Sequence, residues 1–247
     1  MKKIKLLYLM SHISTGGMPQ FVLKRIQSLL EYTDTFEIFV IEYHDYGKHF
    51  PVQRDQIKEL IGDNFFSLSE NKMRVMEIIR TEEIDIVHID DMPELMDNDR
   101  LFKDLYRNDR KWHIVETCHT SQFNPDTEKR FHPDLYAFCT PWHEEIFGNM
   151  DAQFVTIPYP IDKKENLVIK ENKRIFQSSP IVLNVGLWTK GKNQAEGIEI
   201  ARKYPDMTFH FVGNQAGNFQ DYWEPLMKDL PPNVKVWGER KDIDTFM

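Results

Sequence analysis

Two lysines beside a strand-to-helix turn are the side chains best placed for chemistry. In residues 181–194 (IVLNVGLWTKGKNQ) an uncharged, buried-strand run breaks at Gly186, and Ala195, Ile198 and Ala201 then resume at helical spacing. The turn delivers Lys190 and Lys192 to a helix start near Asn193, where free N–H groups and partial positive charge favour an anion. The plainer reading is a solvated basic loop. A second candidate is Gly16-Gly17, between a strand at residues 4–10 and a helical face of Val22, Ile26, Leu29 and Leu30 opened by Pro19. Paired glycines let backbone N–H groups approach a phosphate, although the pair is not GxGxxG and a tight turn needs glycine too. His119 follows a strand at residues 112–117, and strand ends face the ligand in parallel sheets. An isolated histidine is more often structural, so position alone makes it a candidate. Asp90 and Asp91 end the strand at residues 84–89; the two-residue period puts His88 and Asp90, not Asp91, on one face. No compact ligand spacing supports a metal site, and no GxSxG elbow supports a serine hydrolase.

These residues sit in a strand-helix rhythm. Further strands are expected at residues 36–43, 65–68, 135–139 and 154–157, with helices at 52–61, around Met73, Met76 and Ile79 as core filler, and after the N-cap Thr140. The rhythm restarts with strands at 181–185, 208–212 and 234–237, closed by Gly186, Gly213 and Gly238, and a helix at 221–230. Such alternation predicts parallel sheets of βαβ units. Pro158 and Pro160, followed by a charged stretch, predict a hinge: a first domain over 1–160, a linker over 161–178 and a second domain over 179–247, facing each other.

Composition narrows the partners. The chain of 247 residues carries a formal charge of −8 with no basic stripe, which argues against nucleic acid. Cys118 and Cys139 lie far apart and read as small apolar strand-end residues, which suits a reducing cytoplasm. The opening MKKIKLLYLM has too short an apolar run for a signal peptide and reads as a first strand. No segment is long and apolar enough to span a membrane; peripheral association is left open.

Taken together the motifs resemble the retaining GT-B glycosyltransferases of the large family 4 (group 1) type. Gly16-Gly17 resembles that family's glycine loop, TIPYPID (156–162) its interdomain IPNGVD stretch, and GLWTKGKNQ (186–194) its G-R-L-x-x-x-K-N-Q segment. FHFVGN (209–214) is similar to its F-x-L-V-G-x-G strand, and VKVWGERKDI (234–243) to the strand and loop that meet the base.

The resemblance implies two Rossmann-like domains and metal-independent transfer from a nucleoside-diphosphate sugar, such as a UDP- or GDP-sugar, to a glycan, lipid or small-molecule acceptor. It implies no cofactor. It assigns His119 to the transferred sugar and Lys192 to the diphosphate. Gly16, Gly17, Gly186, Lys190, Asn193, Gly213, Asn214, Trp237, Gly238, Glu239 and Arg240 would bind the donor, and Met18, Gln20, Asp90 and Asp91 the acceptor. Two departures matter. Leu187 stands where the family has arginine, with Lys190 as a substitute charge. A chain stopping at Met247 is also expected to leave the second sheet incomplete and to lack the family's Glu-x7-Glu element, which puts its activity alone in question. The competing readings are a dinucleotide-dependent oxidoreductase or epimerase, with Glu42 as its ribose acid, and a non-catalytic nucleotide- or sugar-binding module.

Overall fold

The computed structural model describes residues 2–14, 16–45, 52–68, 71–119, 129–147, 152–160, 180–240 and 242–243. The chain divides into two compact units, Met1–Lys163 and Lys164–Met247. The linker expected over 161–178 lies outside the described residues, as do Thr120 and Ser121.

The first unit is a seven-stranded, wholly parallel sheet. Its strands are β1 (Ile4–Met10), β2 (Phe36–Glu42), β3 (Phe65–Ser67), β4 (Ile86–Asp90), β5 (His113–Cys118), β6 (Leu135–Phe138) and β7 (Phe154–Thr156), in the order β3-β2-β1-β4-β5-β6-β7. Strand order reverses between β1 and β4, so the chain exits these two strands in opposite directions and leaves a crevice at their carboxyl ends. Alternation along β1 sends Leu7 and Leu9 to one face, against α3 (Arg74–Thr81) and α4 (Asp99–Leu105). Leu6, Tyr8 and Met10 go to the other, against α1 (Gly17–Tyr32) and α2 (Val52–Ile61). A parallel sheet covered on both faces explains the nearly unbroken apolar runs of β1 and β2. A further helix, α5 (Pro141–Phe147), follows β6, and the backbone N–H of His143 donates to Oγ1 of Thr140 at 3.4 Å, as the N-cap signature predicts.

The second unit pairs β8 (Ile181–Val185), β9 (Thr208–Val212) and β10 (Val234–Val236) in the order β10-β9-β8, again parallel. Helices α6 (Gln194–Lys203) and α7 (Gln220–Met227) pack against Phe209, Phe211, Val234 and Val236 on one face.

Several expectations need correcting. The strand expected to be buried at residues 181–185 is an edge strand, and Ile181 and Val185 are 62% and 54% exposed because both helices cover the opposite face. Helix α1 starts at Gly17, placing Pro19 inside its first turn rather than at the first position. Helix α6 starts at Gln194, as expected near Asn193, with Asn193 as its N-cap at the left-handed φ of 51°. The strand expected at residues 84–89 is instead Ile86–Asp90, making this aspartate part of the ladder.

Candidate functional site

In the first unit the two-residue period lines up polar side chains on the α1 side of the sheet. Tyr8 on β1, His88 and Asp90 on β4, and Thr117 on β5 lead up the sheet to His119, one residue past β5. The Tyr8 and His88 rings stack with centroids 5.1 Å apart, and His88 Nε2 lies 2.6 Å from Oγ1 of Thr117. Burial, together with Arg25 and His119 nearby, holds His88 well below its ordinary value. His88 is thus a neutral, satisfied core residue.

His119 differs. Its Nε2 lies 2.9 Å from Oδ1 of Asp90, whose side chain is fully shut off from solvent. Its Nδ1 lies 2.6 Å from the Tyr159 hydroxyl and 3.7 Å from Sγ of Cys139. Burial pulls the imidazole pKa down most strongly of any one cause, but the hydrogen bonds and charges of Asp90 and Cys139 together outweigh it and the value rises to about 10. Burial likewise pushes the Asp90 carboxyl up, opposed by its hydrogen bond to His119 and by the charges of His119 and Arg25. The pair is an imidazolium on a carboxylate at neutral pH, and both ring nitrogens then donate.

Around this pair the polar inventory is incomplete. Oδ2 of Asp90, Oδ1 of Asp91 and Nη1 of Arg25 are buried without a hydrogen-bond partner among the described residues. Arg25 caps the Phe21 ring, 4.9 Å from its centroid, and Phe21 meets His119 edge-on at 5.2 Å. Unsatisfied buried donors and acceptors side by side suit a polar ligand or ordered water. Asp91 holds a φ of 85°, uncommon for a residue with a side chain, which turns the chain sharply off β4.

The other first-unit candidates are more ordinary. The first turn of α1 carries no acidic side chain, and no side chain caps its N–H groups at Gly16. The amide of Gln20 accepts from Gln53 at 3.3 Å, and Met18, in the first turn of α1, packs against the core. Cys139, expected to be only apolar filler, belongs to the His119 cluster. Glu42 is fully engaged: its carboxylate accepts from the backbone N–H of Ile13 at 2.9 Å and pairs with Arg54 at 3.1 Å. It ties the loop after β1 in place. Among the described residues no group of three or more His, Cys, Asp or Glu could hold a metal ion.

In the second unit three glycines are knitted at the carboxyl ends of β8, β9 and β10. The Gly213 N–H donates to the Gly238 carbonyl at 2.7 Å, and the Gly186 N–H to the Val212 carbonyl at 2.9 Å. A Cβ on Gly213 would lie 1.9 Å from the Gly186 carbonyl oxygen, so only glycine fits. Asn214 continues the knit, its carbonyl accepting from Trp188 N–H at 3.0 Å.

The basic turn is a short 3-10 turn, Lys190–Lys192, with Thr189 as N-cap. The stem of Lys192 lies over Gly186, 3.6 Å from where a Cβ would be. Both ammonium groups are on exposed residues and have no ion-pair partner among the described residues. One N–H at the start of α6 is satisfied already, Ala195 donating to the Tyr222 hydroxyl at 3.1 Å, while the side-chain amide of Asn193 donates to the Glu196 carboxylate at 2.7 Å. Beneath the turn Trp188 is fully buried against Phe211, and Gln194 donates to the Leu187 carbonyl at 2.9 Å. Trp237 is 41% exposed and meets His210 edge-on. Glu239 keeps one buried oxygen unpartnered, whereas the Arg240 guanidinium is paired with Asp242 at 2.7 Å.

The structure therefore joins His119 to Asp90, and Lys192 to Gly186. Sequence reading missed Tyr159, Cys139, Arg25 and Tyr222, all of which act across long sequence separations; only Thr189, one short polar residue before the turn, carried a local signal.

No protein-family model matches the sequence, and a search of curated proteins finds no match. Solved structures do. The structure of Anabaena Alr3699/HepE in complex with UDP and glucose has a TM-score of 0.67 and 17% identity over 98% of this chain and 71% of that chain. The apo form of the lipopolysaccharide outer core galactosyltransferase WaaB gives 0.61 and 15% over 98% of this chain and 70% of its own. The UDP-GlcNAc 2-epimerase from Neisseria meningitidis bound to UDP-GlcNAc gives 0.51 and 12% over 98% and 74%. The fold is α/β of the GT-B type, with a seven-stranded parallel sheet and a second, smaller parallel sheet.

Proposed function

We propose that this chain is a glycosyltransferase moving a sugar from a nucleoside-diphosphate sugar to a glycan, lipid or small-molecule acceptor, with retention and without a metal. The observation carrying the reading is the 2.9 Å contact of His119 with fully buried Asp90 at the strand-order reversal. In the transfer the bond from the anomeric carbon to the phosphate oxygen breaks, and its electron pair leaves with the diphosphate. The acceptor hydroxyl forms the new bond to that carbon and gives its proton to the leaving diphosphate oxygen. Negative charge grows on the leaving group, and fixed cations and N–H donors stabilise it best. Lys192, with Lys190 in support, takes the diphosphate at the turn after β8, while His119 donates to a hydroxyl of the transferred sugar. Within the first unit, the first turn of α1, uncapped and free of acid, offers N–H donors behind Gly16 and Gly17.

The test is direct. Incubation with UDP- and GDP-sugars and an acceptor mixture should release the nucleoside diphosphate in the presence of a chelator, and NMR of the product should show the donor's anomeric configuration. Binding without any turnover would leave a non-catalytic module. Inversion at the anomeric carbon would overturn the assigned mechanism.

A second reading, a sugar-nucleotide epimerase, is favoured by the likeness to the Neisseria enzyme. The same incubation separates it, because the sugar would then change configuration without an acceptor. A dinucleotide-dependent oxidoreductase is disfavoured, since Glu42 would have to abandon Ile13 and Arg54 to reach a ribose.

A further inference from the structure

Both nitrogens of His119 are occupied within the first unit, which leaves a sugar hydroxyl no donor to use. Asp90 holds Nε2, while the Tyr159 hydroxyl and, farther off at 3.7 Å, Cys139 Sγ face Nδ1, and these partners are not equivalent. Asp90 is fully buried on β4 and fixed by the sheet ladder, so Nε2 has a permanent partner. Tyr159 is 42% exposed and lies past the end of β7, between Pro158 and Pro160, whose nitrogens cannot donate a backbone hydrogen bond. Its ring meets Phe21 edge-on at 4.6 Å, and Phe21 meets His119 at 5.2 Å, so one aromatic side chain supports both. The Tyr159 oxygen then lies 2.6 Å from Nδ1. Burial, with Cys139 and Asp90 nearby, pushes the phenol well above its ordinary value, so this oxygen belongs to a neutral hydroxyl.

We infer that Tyr159 is an internal stand-in for a ligand hydroxyl, filling the one exchangeable position on His119, so that a sugar binds there by displacing it. The inference rests on the glycosyltransferase reading for the identity of the ligand, but the contact itself does not. A neutral alcohol oxygen replaced by another is a nearly even exchange of hydrogen bonds, which lets Tyr159 keep the imidazolium satisfied without blocking the site. A ligand entering must therefore compete, and its apparent affinity is reduced by the fraction of molecules in which Tyr159 is seated.

Tyr159→Phe removes the competing oxygen and keeps the ring on Phe21, so the fold is not at stake. In the ligand-free protein the variant should move the 15N resonance of His119 Nδ1; an unmoved resonance would mean the contact is absent and would overturn the inference. In titrations with UDP-glucose and GDP-mannose, whichever binds wild type should bind Tyr159→Phe about five-fold more tightly, the worth of one net hydrogen bond. Binding by UDP or GDP alone should be unchanged. Equal affinity for the sugar nucleotide would make Tyr159 a spectator, and weaker affinity would make it a direct ligand contact; either sinks the exchange. If neither sugar nucleotide binds either protein while the Nδ1 resonance still moves, the glycosyltransferase reading fails, and the inferred ligand with it.

Discussion

Oδ1 of Asp90 lies 2.9 Å from Nε2 of His119, and the aspartate making this contact has no solvent exposure at all. A buried carboxylate is costly unless a cation and further donors satisfy it. The sheet supplies the cation one strand over; burial pulls the His119 pKa down, and the hydrogen bonds and charges of Asp90 and Cys139 together raise it to about 10.

This coupling sets a pH dependence whose sign is fixed. A histidine raised from 6.5 to about 10 contributes stability fully present below about pH 6.5 and lost as pH climbs through about 10. Denaturant unfolding of wild type and His119→Gln should therefore differ most at the acid end of that window and converge at its alkaline end. A gap between the two proteins that stays constant across the window would mean His119 is not the titrating group. Histidine NMR should show the resonance unchanged through neutrality.

For activity, His119→Ala should lower kcat on the order of ten- to a hundred-fold while moving the donor KM less. A charged hydrogen bond worth about 1.5–3 kcal/mol that strengthens as the glycosidic bond stretches acts on the transition state more than on the resting complex. A structural histidine would do the reverse, costing folded protein and leaving kcat per folded molecule intact.

Much of this was legible in the sequence, and the reasons differ by residue. The strands and the glycines that close them could be read because apolar runs and turn residues are local. His88 and Asp90 could be placed on one face because a strand's period is two. That Asp90 would meet His119 could not be read, since the contact depends on β4 and β5 being neighbours at a given register. Tyr159 was hidden for the same reason, 40 residues from its partner. The exposure of Ile181 and Val185 was misread because an apolar run does not reveal which face of its sheet the helices cover.

In the second unit, Lys192→Ala should weaken binding of a nucleoside diphosphate by roughly 1.5–3 kcal/mol, the usual worth of a charge-assisted hydrogen bond. Lys190→Ala should cost less, because Lys190 stands on the turn without the Gly186 contact that seats the Lys192 stem. Calorimetry at two salt concentrations checks both. Unchanged affinity in Lys192→Ala would remove the diphosphate from this turn.

Gly213→Ala tests the glycine knit. Its new methyl would stand 1.9 Å from the Gly186 carbonyl oxygen, which is backbone and cannot rotate away. Strands β8 and β9 would have to part at their carboxyl ends, at a cost of about 3 kcal/mol or more. Gly217→Ala is the control, since a Cβ there meets nothing within 4 Å. Equal unfolding midpoints for the two variants would show that the close approach is absent in solution.

The last prediction concerns a second buried charge cluster, on the opposite face of β5 from His119. Lys129 lies 3.1 Å from Glu94 and 2.7 Å from Glu116, and the three side chains are only 2%, 6% and 0% exposed. Tyr106 donates to Glu116 at 3.2 Å, Cys118 donates to it at 3.4 Å, and Glu94 accepts from the backbone N–H of Arg130 at 2.7 Å and Phe131 at 3.2 Å. One lysine thus serves two carboxylates. Burial pushes Glu116 up to about 7, against the pull of Lys129. A raised carboxyl contributes stability that is present below about 4.5 and lost as pH rises through about 7. Glu116→Gln, which resembles the protonated form, should match wild type in acid and exceed it in stability above about pH 7. Lys129→Met leaves both carboxylates buried without a cation and should cost about 3–5 kcal/mol at alkaline pH. Its penalty should shrink in acid, where Glu116 takes up a proton. Urea unfolding of both variants on either side of pH 7 decides the matter; a Lys129→Met penalty that does not change with pH would show that Glu116 is not the group being neutralised.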